Sequence, residues 1–226
     1  MSQFEIEIKT LLGEKENADK LRAQIAERGG EQVSQHKQLN HYFTIPNPEN
    51  LSKSLGEKFA GDIPADKKDS FKKILEEGKS FSIRTREADG DVLLVIKASI
   101  GDDTSDNGVS RMEFEVALPF TLDQLDQKLI DAGLMYQAKW SREREEYKID
   151  DMNICLDKNA GYGYLAEFES VINSQDEVDA TKKKIYDLMK TMGVSELPQD
   201  RLERMFKFYN ENWRDYYGTD KVFVIE

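Results

Sequence analysis

The segment Phe4-Glu5-Ile6-Glu7-Ile8-Lys9 alternates apolar and charged side chains with period two. Successive side chains of a strand point to opposite faces, so this alternation reads as a strand with one buried side. Phe4, Ile6 and Ile8 must meet a core, while Glu5, Glu7 and Lys9 share the reverse face. Glutamate is depleted in strands, and like charges along one face repel. A single strand of this kind is most simply a surface strand with its charges in water. The pattern returns, however, in Arg111-Met112-Glu113-Phe114-Glu115 and in Glu167-Phe168-Glu169. A fold for this chain must therefore place several charged strand faces at once.

Cationic strand faces accompany the acidic ones. Arg84 and Arg86 alternate with Ile83 and Thr85, and Arg142 and Arg144 share a face of a long strand within 136–149. Lys97 stands in the otherwise apolar strand 92–98, a composition suited to cover on both sides. A lysine there calls for an anionic partner. One geometry satisfies both faces of these strands: a closed or nearly closed antiparallel barrel, with its charges inside and its apolar outer face under helices. The alternative is a two-layer sheet whose charges face water. In a barrel, the carboxylates offer oxygen ligands suited to Mg²⁺ or Mn²⁺. Paired arginines suit bidentate recognition of phosphate oxygens. A lumen with both suits a metal–polyphosphate complex.

The covering helices are also legible. Ala18, Leu21 and Ile25 recur at helical spacing within 14–28, and Gly29-Gly30 ends the run. Thr121-x-x-Gln124 and Ser174-x-x-Glu177 read as capping boxes opening helices that stop at Gly133 and Gly193. Residues 46–80 are rich in Lys, Glu, Ser, Gly and Pro, and carry two short helical patterns, the second with Phe71, Ile74 and Leu75 as its stripe. They hold too few apolar residues for a core of their own, so a mobile helical flap inserted in the domain is expected. Residues 88–91 form a hairpin turn and 101–108 a polar loop. The expected organisation is one domain over 1–204, with 46–80 as its insertion, followed by an aromatic-rich extension over 205–226 that packs on it.

The formal net charge of -12 over 226 residues argues against broad binding to nucleic-acid backbones or anionic membranes. It is compatible with a small phosphate ligand, because cations bridge acid to acid. The single cysteine allows no intrachain disulfide and fits a reducing compartment. With no basic-then-apolar leader and no apolar run of ~18 residues, a soluble cytoplasmic protein is expected. The only histidines, His36 and His41, do not make a zinc site with Cys155. His41 reads as a satisfied core or rim histidine. The glycines at 56 and 61 lack the Lys-Ser/Thr of a phosphate loop, and Gly161-x-Gly163 leads into a strand rather than a helix.

The charged segments, in order, resemble the CYTH family, the triphosphate tunnel metalloenzymes. Glu5-x-Glu7-x-Lys9 is similar to the signature that opens the family. Arg84-x-Arg86 resembles its arginine pair, Lys97 its next-strand lysine, and Arg111-x-Glu113-x-Glu115 its Arg-x-Glu-x-Glu strand. Arg142-x-Arg144-x-x-Tyr147 resembles its Lys-x-Arg-x-x-Tyr. Leu156-Asp157 resembles its aspartate after a short strand, and Gly163 with Glu167-x-Glu169 its closing carboxylate strand. The chain departs in having His41 where many members carry Asp, in its longer insertion at 46–80 and in its tail.

The resemblance implies an α+β fold: an eight-stranded antiparallel tunnel, helices outside, binding a triphosphate end-on with one or two divalent metals. By position it implies Glu5, Glu7, Glu113, Glu115, Glu167 and Glu169 as the Mg²⁺ or Mn²⁺ shell. Lys9, Arg84, Arg86, Lys97, Arg111, Arg142 and Arg144 would hold phosphate oxygens, with Asp157 orienting one of these bases. Lys9, Glu5, Glu7, Glu167 and Glu169 would form the catalytic set. Family members include inorganic triphosphatases, thiamine triphosphatases and class IV adenylate cyclases. The expected activity is hydrolysis of tripolyphosphate or an organic triphosphate. Adenylate cyclase is the second reading, and non-catalytic polyphosphate or nucleotide binding the third. The expected partner is a small-molecule triphosphate, for a monomer or homodimer.

Overall fold

The computed structural model describes residues 4–99, 111–172 and 174–226; the loop expected at 101–108 lies outside them. Period-two segments become strands and helical-period segments become helices. In chain order these are β1 (Phe4–Gly13), α1 (Lys15–Glu27), β2 (Glu31–Thr44), α2 (Pro48–Phe59), α3 (Lys68–Glu77), β3 (Lys79–Ala88) and β4 (Asp91–Ser99). Then follow β5 (Arg111–Ala117), α4 (Leu122–Asp131), β6 (Met135–Ile149), β7 (Met152–Asn159), β8 (Gly163–Ile172), α5 (Val178–Thr191) and α6 (Gln199–Asn212). The strands form an eight-stranded antiparallel sheet in the order β1-β8-β7-β6-β2-β3-β4-β5. With its helices this is the α+β fold expected. Among the described residues no helix is long and apolar enough to cross a membrane.

The chain divides into two compact units, one within Met1–Lys37 and Ser141–Glu226, the other within Gln38–Trp140. In the first, Ala18, Leu21 and Ile25 of α1 and Ile185 and Met189 of α5 pack with Ile6, Ile8, Ile154, Leu156 and Phe168. Each buried Leu or Ile contributes about 1.5–3 kcal/mol relative to exposure. The capping box expected at Ser174 does not form. A 3-10 turn over Gln175–Glu177 precedes α5, so the helix opens later than the spacing suggests. Ser174 Oγ instead accepts from the Asp176 amide at 3.3 Å.

The aromatic tail is anchored within the same unit. Leu202, Met205 and Tyr209 line the buried side of α6, a helical spacing that extends back to residue 199 and places the expected extension boundary inside a helix. Beyond it, the Gly161 amide donates to Lys221 O at 2.9 Å and the Phe223 amide to Gly161 O at 2.8 Å. Gly161 has φ +84°, and a Cβ there would meet the Tyr209 ring at 2.7 Å. Only glycine combines that left-handed backbone with so close an approach. Tyr162, Phe206, Tyr209 and Phe223 complete the aromatic cluster.

The second unit overturns one expectation. Leu51, Leu55, Phe59, Ile63, Phe71, Ile74 and Leu75, all from 46–80, are buried in one cluster with Ile83, Leu94, Ile96 and Phe114. The insertion is part of this core and not a loosely attached flap. Its apolar residues, few for a core of their own, are enough to cover the apolar side of β3–β5. The 88–91 hairpin turn forms as expected, with Asp89 and Gly90 both at positive φ. The Thr121–Gln124 capping box also forms, at 2.9 and 3.3 Å.

The buried face of α4 carries a carboxylate, Asp126, exposed to only 1%. His41 Nδ1 and Thr85 Oγ1 each donate to it at 2.6 Å, and Tyr136 Oη at 2.7 Å. His41 is thus the satisfied core histidine expected. Burial pushes the Asp126 carboxyl up, but the hydrogen bonds from His41, Thr85 and Tyr136 outweigh it and hold it below the usual carboxylate range. In the unfolded chain the same group titrates near pH ~4. The stability it contributes is therefore complete above about pH 5 and lost as pH falls through the lower folded value. Urea unfolding between about pH 2 and 6 should show this acid limb, reduced in Asp126→Asn. Identical limbs in parent and variant would remove Asp126 as its source.

Candidate metal and phosphate site

In the unit within Met1–Lys37 and Ser141–Glu226, register brings the expected charges onto one face. Lys9 pairs across the ladder with Glu167, and Glu7 with Glu169. Cys155 lies opposite Glu167 on the other side, and Asp157 opposite Arg144. Because these partners lie two residues apart along each strand, all their side chains emerge on the same side.

Glu167 is the centre of this face. Lys9 Nζ lies 3.5 Å from its Oε1, and Arg144 donates to its Oε2. Lys9 also pairs with Glu7. Burial raises the Glu167 carboxyl, but Lys9, Arg144 and Arg142 together hold it below the usual range. Asp157, almost wholly buried, accepts from Arg142 at 2.9 Å and from two Arg144 nitrogens at 2.7 Å. One carboxylate thus aligns both arginines. Burial pushes against the Arg144 charge, yet Asp157 and Glu167 raise its affinity for the proton, so it stays cationic.

Cys155 Sγ and carboxylate oxygens of Glu167 and Glu169 all lie within 4.8 Å of one another. Burial pushes the Cys155 thiol up, with only partial relief from Arg144. A protonated thiol is a poor ligand for hard cations, so the donors that fit Mg²⁺ or Mn²⁺ here are the carboxylates. Sequence reasoning left Cys155 out of the site, although its position two residues before Asp157 places it on the same face.

The unit within Gln38–Trp140 presents a second charged face. Lys97 finds its expected anion in Glu113 at 3.1 Å, and Arg86 meets Glu115 at 3.4 Å. Glu113 and Glu115 remain about half exposed, at 46% and 40% of their side-chain surface. Val95, on the Lys97 face, is fully buried, so β4 is covered on both sides at its middle, as its composition predicts. Arg84 donates to Tyr42 Oη at 2.7 Å, and Arg86 Nε to Asn40 Oδ1 at 3.0 Å. Asn40 and Tyr42 were not foreseen. The signal was their period-two spacing with Gln38, but neutral residues did not stand out beside charged ones.

Two of the expected site residues, Glu5 and Arg111, have their backbones in β1 and β5, while their side chains lie outside the described residues. Tyr147, which closes the Arg-x-Arg-x-x-Tyr segment, takes the opposite face and joins the core. Its hydroxyl donates to Glu145 at 2.5 Å. Burial, then Glu145, pushes its pKa up to about 12. Glu145 itself is clasped by Arg22 of α1 at 2.8 and 2.9 Å, a pair that fastens the helix to β6.

A family model described as the CYTH domain matches residues 70–201, well over half of the chain. The chain belongs to the CYTH family. Members of the CYTH family are metal-dependent enzymes that act on small triphosphates. No curated protein matches the chain. Among solved structures, the CYTH chain is similar to an adenylate cyclase candidate from Vibrio parahaemolyticus. They share 15% identity over 92% of this chain and 99% of that one, with a TM-score of 0.60. A Pyrococcus horikoshii protein is 20% identical over 87% of this chain and 94% of that one, at TM-score 0.57. A Hippeastrum protein, named as an adenylyl cyclase candidate with a dominant triphosphatase activity, is 16% identical over 90% and 95%, at TM-score 0.52. At these identities the likeness is one of fold.

Proposed function

We propose that this CYTH protein is a divalent-cation-dependent hydrolase that cleaves a phosphoric anhydride bond of tripolyphosphate or an organic triphosphate. The observation that carries this reading is the face around Glu167. There Glu7 and Glu169 stand directly opposite one another beside a carboxylate held ionised by Lys9 and Arg144. Like charges opposite one another weaken a ladder. Lys9 offsets part of that repulsion, and a bound cation would offset the rest.

On this reading Glu5, Glu7, Glu113, Glu115, Glu167 and Glu169 hold Mg²⁺ or Mn²⁺. Lys9, Arg84, Arg86, Lys97, Arg111, Arg142 and Arg144 bind phosphate oxygens. The cation, when bound, supplies Lewis acidity to those oxygens. The cationic side chains neutralise charge that moves onto the leaving phosphate in the transition state. Asp157 keeps Arg142 and Arg144 aligned for this. Lys9, between Glu7 and Glu167, is placed to contact both a metal-ligating carboxylate and a phosphate oxygen. On this reading the domain is taken as 1–204, with 205–226 as an aromatic extension, a boundary that falls within α6. Neighbours named for cyclase and for triphosphatase activity share this fold, so product analysis decides between hydrolysis and cyclisation for this chain.

Incubation of the full chain with tripolyphosphate, and separately with ATP, in Mg²⁺ or Mn²⁺ should release orthophosphate. Cyclic AMP and pyrophosphate from ATP would overturn hydrolysis in favour of a cyclase. Binding without any product would overturn both.

A further inference from the structure

In the unit that holds Glu167, register carries the charged face one strand further than the residues assigned above. Cys155 of β7 lies opposite Glu167 on one side and opposite Glu146 of β6 on the other. Residues directly opposite one another share a face of the sheet. Glu146 therefore emerges with Glu167, and with Arg144, two residues back along β6. Lys9, opposite Glu167, stands in the same row. His36 of β2 faces Glu146 from beyond β6, with Nε2 3.7 Å from its Oε1.

The carboxylates of this face differ in what holds them. Glu7 pairs with Lys9, Glu167 with Lys9 and Arg144, and Asp157 with Arg142 and Arg144. A fixed cation at such a distance favours the ionised form and makes a carboxylate a weak base. Among the described residues Glu146 has no lysine or arginine within ion-pair distance. Its partner is His36, which is charged only when protonated. Glu146 is also the more open group, with 35% of its side-chain surface exposed against 12% for Glu167. Water reaches it next to the cluster of Cys155, Glu167 and Glu169. A base for hydrolysis needs this combination: near the reacting centre, open to water and not neutralised by a fixed cation.

We propose that Glu146 is the general base of the hydrolysis, and so a catalytic residue. This rests on the triphosphate hydrolysis proposed above. Its carboxylate accepts a proton from water as the water oxygen bonds to the terminal phosphorus. The bond from that phosphorus to the bridging oxygen breaks, and the leaving phosphate keeps the bridging oxygen with its electron pair. Orthophosphate and the shortened phosphate chain result, and the proton passes from Glu146 to solvent. The sequence signal for this residue is its period-two spacing from Arg142 and Arg144.

The test uses the full chain with Mg²⁺ and tripolyphosphate. Glu146→Gln keeps the size of the side chain and removes the base, and should lower kcat about a hundredfold, the lower end for general acid–base catalysis. KM should stay within about threefold of the parent's, because the interaction lost is made only in the transition state. The melting temperature, and its rise with Mg²⁺ plus tripolyphosphate, should stay near the parent's, which neither a metal ligand nor a merely structural residue would allow. Formate, a small carboxylate, should raise the turnover of Glu146→Ala and leave that of the parent unchanged. Glu167→Gln is the control for the site itself. Parent-like kcat in Glu146→Gln, with Glu167→Gln inactive, overturns the base role alone. Lost ligand stabilisation in Glu146→Gln, or no gain from formate in Glu146→Ala, gives Glu146 another role and overturns the proposal equally. Parent-like turnover in both glutamine variants overturns the reading of this face as the hydrolytic site.

Discussion

Glu167→Gln is expected to lower phosphate release by at least about a hundredfold, since even groups that only support metal ligands are commonly worth ten to a hundredfold. The same variant should lose the rise in melting temperature that Mg²⁺ plus tripolyphosphate gives the parent, because ligand stabilisation follows affinity. Glutamine keeps the size of the side chain and one acceptor for Arg144. It removes the charge that Lys9, Arg144 and Arg142 stabilise. Without ligand it should therefore cost about 1.5–3 kcal/mol at neutral pH, the range for a hydrogen bond to a charged group. Thermal melts with and without ligand, beside a phosphate-release assay, give both numbers. Turnover and ligand stabilisation like the parent's would withdraw Glu167 from the metal shell.

Asp157→Ala should have the largest effect on stability. Its side chain is 2% exposed and accepts from both Arg142 and Arg144. Removing one member of a buried charged pair leaves the other without compensation, typically at about 3–5 kcal/mol. Arg144 retains Glu167, so the lower end of that range is expected, about 3 kcal/mol. For a chain of this size that corresponds to a midpoint roughly 10 °C lower. Asp157→Asn, which keeps the shape and one acceptor, should recover about half of the loss. Calorimetric melts of the three proteins decide the matter. A midpoint in Asp157→Ala within a degree or two of the parent would mean that water satisfies both arginines, and that Asp157 does not orient them.

The strands of the charged faces were legible because their signal is local. Alternation in 4–9, 111–117 and 167–169 sorts each side chain to a face whatever the partner strand. The amphipathic helix 15–27 was legible for the same reason, as was the Thr121 capping box, whose two hydrogen bonds span three residues. The Ser174 box shares that spacing but does not form, because a 3-10 turn there pairs the Glu177 amide with the Ser174 carbonyl instead of its side chain. The insertion at 46–80 was misjudged because a count of its apolar residues says nothing of the sheet face they cover.

By itself, then, the sequence determined which residues are charged, which face of its strand each occupies, and that several such faces recur, since these depend only on backbone periodicity. Strand pairing decided the rest. Register set Lys9 beside Glu167 and Glu7 opposite Glu169, gave Asp157 to both Arg142 and Arg144, and turned Cys155 toward the carboxylates. It also set Asn40 and Tyr42 under Arg86 and Arg84, while Asp126 fixed the same ladder from behind. These partners lie a dozen or more residues apart in the chain. Their pairing is fixed by the hydrophobic face that must be buried, because a slip of one residue would expose it.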